Sequence, residues 1–175
     1  YEYPKNATDR VNFRSLVSEL RAAFNTVEPP LLLTMAGPST NWSGQWFDLA
    51  GMANDFDLIG IMTYDYYGNW TSKAGPNAAV YGSFSTNTEG WMDYSVDYYN
   101  VTRGVPKEKL LVGIPFYGWM FSASALYGPS TGASQLTYTS IAPKLSQGWI
   151  RSWDATGLVP YMLNAAQTQL ISYDD

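Results

Sequence analysis

The sequence predicts an α/β fold built from βαβ units and followed by a small antiparallel subdomain. Three observations carry that expectation. Residues 31–36, 58–62 and 110–116 are short, nearly continuous apolar runs, which suit strands of a parallel sheet buried on both faces. They alternate with segments of helical periodicity in the order strand, helix, strand, helix, strand, which predicts right-handed connections. After about Phe121 the pattern changes to short β-type segments separated by turn signals.

In chain order, Asn6-Ala7-Thr8-Asp9 offers good N-cap residues. Phe13, Leu16, Val17, Leu20 and Phe24 then recur at helical spacing, predicting an amphipathic helix over residues 9–24 that Asn25 and Pro29-Pro30 stop. The strand at 31–36 is broken by Gly37-Pro38-Ser39 into a polar, Trp-bearing loop, and a short helix over 46–53 leads to the strand at 58–62. Polar groups arrive only at the C-terminal end of that central strand. There Tyr64 and Asp65 leave the sheet together, at the end where βα architectures gather ligands and catalytic groups. A loop rich in Gly, Asn and Ser follows to about residue 86. Thr88-Glu89 is expected to cap a helix to about residue 102, with Met92, Val96 and Tyr99 as its buried stripe, and Gly104-Val105-Pro106 ends it. Tyr117-Gly118-Trp119 emerges from the end of the strand at 110–116. The segments 135–139, 148–154, 158–163 and 169–173 form the antiparallel subdomain, so the chain is expected to divide into residues 1–120 and 121–175.

Composition narrows the chemistry. A chain of 175 residues is long enough for one sizeable core. It is short of the roughly 250 residues of a complete (β/α)8 barrel. It contains no Cys and no His, which excludes disulfides, cysteine nucleophiles, Ser-His-Asp triads and His- or Cys-ligated zinc within this sequence. Any general acid or base must be a carboxylate, a Tyr or a Lys. Ten Lys plus Arg against 15 Asp plus Glu give a net charge of −5, which argues against a nucleic-acid partner. Seven Trp and 14 Tyr exceed what core filling needs and suit stacking platforms for the apolar faces of a neutral ligand such as a pyranose ring. A protein interface is the competing use of such aromatics. No membrane span, signal peptide or solenoid repeat is visible, and residue 1 is Tyr rather than Met.

Four motifs now carry a resemblance. Tyr1-Glu2-Tyr3-Pro4, Met62-Thr63-Tyr64-Asp65 and Gly113-Ile114-Pro115-Phe116-Tyr117-Gly118 resemble successive motifs of the chitinases of glycoside hydrolase family 18. Ile171-Ser172-Tyr173-Asp174-Asp175 resembles the segment that closes the small insertion domain of one subgroup. The match runs the length of the chain in the family's order.

The resemblance implies a partial TIM (β/α)8 barrel, from the end of strand 4 through strand 7, with a small α+β insertion subdomain. It implies retaining hydrolysis of β-1,4-linked N-acetylglucosamine polymers with the substrate's own acetamide oxygen as nucleophile. Glu2 matches the general acid/base. Tyr64 matches the residue whose hydroxyl bonds the acetamide carbonyl, and Asp65 the carboxylate that holds the distorted sugar and couples to the acid. Met62 would line the floor of that pocket. Trp70 falls where the family often places an aromatic platform, Tyr117 would face the same cleft, and Tyr3 is assigned to substrate binding with its motif. Trp42, Trp46, Trp91 and Trp149 are assigned to packing or the cleft rim. The implied partner is chitin or chito-oligosaccharide, with no cofactor, metal, nucleic acid or membrane, and the location is extracellular, inferred from an insoluble substrate.

Two departures stand out. The acetamide-orienting acid that precedes the glutamate by two residues would lie just before Tyr1 and is missing from this sequence, as are the first three βα units, most of strand 4, and strand 8 with the Trp that usually floors the sugar site. Trp119 occupies a position where many relatives have Arg, a change expected to alter contacts near the cleft without touching the acid. The chain is therefore expected to be a slice of a catalytic domain that acts within a complete barrel and that, alone, exposes strand edges and tends to associate or stay partly unfolded. Two other functions compete: a chitinase-like lectin, against which Glu2 argues, and an endo-β-N-acetylglucosaminidase. The Asn-X-Ser/Thr sequences at Asn6, Asn41, Asn69 and Asn100 are read as chance occurrences in a secreted bacterial enzyme.

Overall fold

The computed structural model describes residues 3–174, which cluster into two compact units. One consists of the chain up to Met62 together with Tyr94–Gly113, the other of Thr63–Asp93 together with the chain from Ile114 onward.

The first unit is a three-stranded parallel sheet with helical connections. Helix α1 spans Ala7–Phe24, and the extended Asn6 caps it by accepting the Asp9 backbone N–H at 2.9 Å. Strand β1, Thr34–Pro38, pairs in parallel with β2, Leu58–Met62, which pairs in parallel with β3, Leu110–Val112. Between β1 and β2 lie two single-turn helices, α2 (Asn41–Gly44) and α3 (Leu49–Met52). Helix α4, Met92–Asp97, runs on into a π-helical turn, Tyr98–Thr102, that leads toward β3. This alternation of parallel strands and helices is part of a (β/α)8 barrel.

Side chains of β2 alternate between fully and partly buried. Ile59 and Ile61 are 1% and 0% exposed and pack with Val17, Phe47, Leu49, Met52, Phe56 and Tyr99, while Leu58, Gly60 and Met62 are only partly buried. The expectation of burial on both faces is therefore corrected. Helix residues pack on the face of Ile59 and Ile61, and among the described residues the other face is only partly buried.

Three further expectations shift. The strand expected at 31–36 starts at Thr34 and ends at Pro38, leaving Leu32 71% exposed. Among the described residues β1 pairs only with β2, and Pro38 is its last residue. The helix expected over 46–53 forms only as the single turn Leu49–Met52, and a separate turn at Asn41–Gly44 precedes it. The helix expected from Thr88 begins at Met92, because Gly90 adopts φ 118°, and Asn87 Oδ1 accepts the N–H groups of Glu89 and Gly90 to form a turn instead. At the other edge β3 ends at Val112, and the expected buried run continues into exposed Ile114 and Phe116, the latter 84% exposed.

Scarce cations brace this unit. Arg103 donates to the Gly44 and Phe47 carbonyls, and Lys109 donates to those of Ala53 and Phe56, satisfying orphaned groups around α2 and α3. Arg21 donates to the Asp55 carbonyl at 2.8 Å and pairs with Asp57, whose carboxylate also accepts the Leu33 N–H at 2.7 Å. The Leu33 N–H and then the Arg21 guanidinium hold the Asp57 carboxyl below its ordinary value.

The second unit holds a five-stranded antiparallel sheet in the order β5-β4-β8-β7-β6. Its strands are β4 (Tyr117–Phe121), β5 (Ala133–Thr137), β6 (Ile150–Asp154), β7 (Val159–Leu163) and β8 (Leu170–Ser172), with helix α5 (Tyr138–Ile141) after β5. Strand β4 crosses the expected 120/121 division and contains Tyr117-Gly118-Trp119, the residues expected to emerge from the end of the preceding strand. A Cβ at Gly118 would overlap the Ser172 carbonyl, so glycine is what lets β8 approach there. Successive side chains serve opposite faces: Trp119, Phe121, Tyr161 and Leu170 join one apolar cluster, and Met120, Met162 and Ile171 join another.

Two outcomes follow for the first unit. Because the folded-state pKa of Asp57 is lowered, its stabilising contribution is present above the ordinary carboxylate value of 3.8 and is lost as the pH falls through the folded value. The urea midpoint of Asp57→Asn is expected below that of the unsubstituted protein at pH 7, with the gap closing toward pH 3. Tyr99, fully buried, donates its hydroxyl to the Pro38 carbonyl at 2.9 Å. Tyr99→Phe leaves that acceptor unsatisfied and is expected to destabilise by about 1–3 kcal/mol in urea titration.

Candidate functional site

The chain passes from β2 directly into Thr63-Tyr64-Asp65. Asp65 takes φ 59°, the left-handed region that Asp tolerates better than most non-glycine residues. Its backbone N–H donates to Asn77 Oδ1 at 3.0 Å. Asn77 is 1% exposed and fully used: its Nδ2 donates to the Tyr117 carbonyl at 3.1 Å and its backbone N–H to Ser172 Oγ at 2.6 Å. One buried amide thus ties the turn after β2 to the start of β4 and to β8.

The Asp65 carboxylate is held by neutral donors. Trp119 Nε1–H donates to Oδ1 at 2.8 Å, and the Tyr117 hydroxyl hydrogen-bonds to the same carboxylate. Among the described residues no Lys or Arg forms an ion pair with Asp65; the ion pairs involve Asp48 and Asp57. Burial first, and then the bond to Asp65 and its negative charge, push the Tyr117 phenol well above its usual value. Tyr117 therefore stays protonated, a standing donor to Asp65. Tyr64 lies edge-on to Tyr117, with ring centroids 6.1 Å apart at 78°.

Beyond Asp65 the loop turns at Gly68, where a Cβ would overlap the Trp70 ring. Trp70 is 57% exposed and its indole sits edge-on to Trp119, centroids 5.3 Å apart at 83°. An exposed indole braced by a buried one is a ready stacking surface for the apolar face of a sugar.

Of the residues singled out in the sequence, Tyr64, Asp65, Trp70 and Tyr117 are thus brought together in the second unit. Met62 and Tyr3 belong to the first. There Met62 lines an apolar cavity of about 300 Å³ with Phe13, Val17, Met35 and Phe56, and Tyr3 lies edge-on to Trp42 at 6.3 Å. Glu2 lies outside the described residues. Trp149 packs under Lys144 and Trp91 against Phe84, whereas Trp42 is exposed.

Sequence reasoning missed two members of the cluster. Trp119 registered only as a departure from a motif; its position two residues after Tyr117 on a strand, hence on the same face, was the available signal. Asn77 has no signal, being one polar residue in a polar loop whose role is set by the fold. Of the Asn-X-Ser/Thr sites, Asn6, Asn41 and Asn100 spend their side chains on internal hydrogen bonds.

The family model described as Glycosyl hydrolases family 18 matches residues 1–175. A "Probable endochitinase" of Caenorhabditis elegans is 36% identical, covering 100% of this chain and 32% of that protein. Among solved structures, the Ostrinia furnacalis Group IV chitinase in complex with allosamidin superposes with TM-score 0.89 at 29% identity, covering 100% of this chain and 53% of that one. A mutant class V chitinase of Nicotiana tobaccum in complex with NAG4 does so with TM-score 0.87 at 28% identity, covering 100% and 55%. The chain spans about a third of the curated relative and about half of each solved chain. With a family model matched from end to end, this chain belongs to glycosyl hydrolases family 18.

Proposed function

We propose that the protein containing this chain hydrolyses β-1,4-linked N-acetylglucosamine in chitin or chito-oligosaccharides, by a retaining, substrate-assisted mechanism. The observation that carries the reading is the cluster after β2, where Asp65 is held by the Trp119 and Tyr117 donors beside Tyr64 and the exposed Trp70. Family membership and relatives named as chitinases, two of them solved with allosamidin or NAG4, support the substrate class.

In this reading Glu2 protonates the glycosidic oxygen and then activates water, while the substrate acetamide oxygen attacks the anomeric carbon and leaves when water adds. Atoms balance as one water consumed per bond cleaved. Tyr64 donates to the acetamide carbonyl as it becomes the nucleophile. Asp65, fixed by neutral donors, holds the distorted sugar and couples to the acid, while the acid that orients the acetamide N–H is supplied by the rest of the barrel. Trp70 stacks on the sugar of the leaving-group side, with Met62, Tyr117 and Tyr3 as further contacts. The chemistry is two displacements at the anomeric carbon assisted by proton transfer and calls for no metal or cofactor. The remainder of a complete barrel would cover the open edges of β1 and β3, and an insoluble extracellular substrate supports a location outside the cell.

Glu2→Gln in the full-length protein is expected to lower hydrolysis of a fluorogenic chito-oligosaccharide by roughly 10²- to 10⁴-fold. Calorimetric binding of chitotetraose should persist. Retained turnover in the variant would remove Glu2 from the acid's role, and an unsubstituted protein that binds without hydrolysing would mark a lectin.

A further inference from the structure

We infer that Trp119 is a positioning residue with two separable duties: its indole N–H fixes one oxygen of Asp65, and its ring fixes the exposed indole of Trp70. The inference rests on the hydrolase reading above and adds to it the residue that couples the charged centre to the stacking platform.

The geometry is specific to an indole. The N–H reaches Asp65 Oδ1 at 2.8 Å while the bicycle meets Trp70 edge-on at 5.3 Å, so one rigid group serves both neighbours at once. Trp119 is 7% exposed and belongs to the apolar cluster with Tyr66, Tyr67, Phe121 and Leu170. Its backbone is held on both sides, opposite Gln135 of β5 and Ser172 of β8. An indole N–H can only donate, and packing leaves this one no alternative direction. It therefore holds Oδ1 in place without neutralising the carboxylate, and the Asp65 charge stays available to a substrate. The Trp70 ring rests over Gly68 and meets Trp119 edge-on, so the ring of Trp119 braces one side of the exposed indole.

The two duties predict a split in the kinetics. Removing only the N–H should act on turnover through Asp65, and removing only the platform should act on binding through Trp70. In the full-length protein, Trp119→Phe keeps an aromatic ring and deletes the donor; kcat on chitotetraose is expected to fall roughly 10- to 100-fold, the range of a hydrogen bond to a charged group, with KM within about threefold. Trp70→Ala is expected to show the opposite pattern, a KM raised about tenfold or more with kcat largely kept. Trp119→Ala should combine both defects.

Where Trp119→Phe fails to fold, incorporation of benzothienylalanine, which replaces the N–H by sulfur in the same bicycle, should give the same fall in kcat. Unchanged kcat in a folded, donor-less protein overturns the inference, as does a rise in KM without loss of kcat. An unsubstituted protein that does not cleave chitotetraose would instead bring down the hydrolase reading, and this inference with it.

Discussion

Strand β2 is hydrogen-bonded in parallel on both edges, from Thr34↔Leu58 to Pro38↔Met62 on one side and from Ile59↔Leu110 to Ile61↔Val112 on the other. This double pairing, with Ile59 and Ile61 buried against the helices, leaves the strand no freedom of register, since a slip by one residue would turn both isoleucines to the opposite, only partly buried face. The position at which Tyr64 and Asp65 leave the sheet is therefore set by the ladder. The left-handed backbone at Asp65 costs on the order of 1–2 kcal/mol, and the Asn77 hydrogen bond is what keeps it there.

Charge is distributed unevenly between structure and site. The described cations near carboxylates or orphaned carbonyls, Arg10, Arg14, Arg21, Arg103 and Lys109, are spent on bracing the first unit. For Asp48, burial raises the carboxyl's value, and its bonds to Arg14 and Arg10 bring it below the ordinary one. Asp65 receives neutral donors only. An indole and a phenol hold this carboxylate in place without forming an ion pair with it. Tyr117 contributes by staying protonated, because burial first, and then its bond to Asp65 and that residue's charge, oppose loss of its proton.

Much of this was legible in the residues, and the gaps have physical causes. The helix at Ala7–Phe24 and the strand at Leu58–Met62 carried strong periodic or continuous apolar signals together with clear stop residues, and both formed as expected. The segments at 31–36 and 110–116 looked equally apolar but lie at the two edges of the sheet, where pairing on one side only lets the strand slide in extent and leaves side chains exposed. The start of α4 was misplaced because the local capping signal at Thr88-Glu89 lost to a tertiary turn built on Asn87 and Tyr67. Strand β4 went unrecognised because its glycine and aromatics carry no clear strand signal until β5 and β8 supply partners.

What the sequence by itself determined was the alternation of strands and helices, the absence of His and Cys chemistry, and the motif order that marks the family, because periodicity, composition and short motifs are local properties of the chain. What only the tertiary structure decided was which side chains hold Asp65. Trp119 and Asn77 lie 54 and 12 residues away along the chain, and a hydrogen bond across that distance exists only once two strands and a loop have fixed the donor and the acceptor in one place.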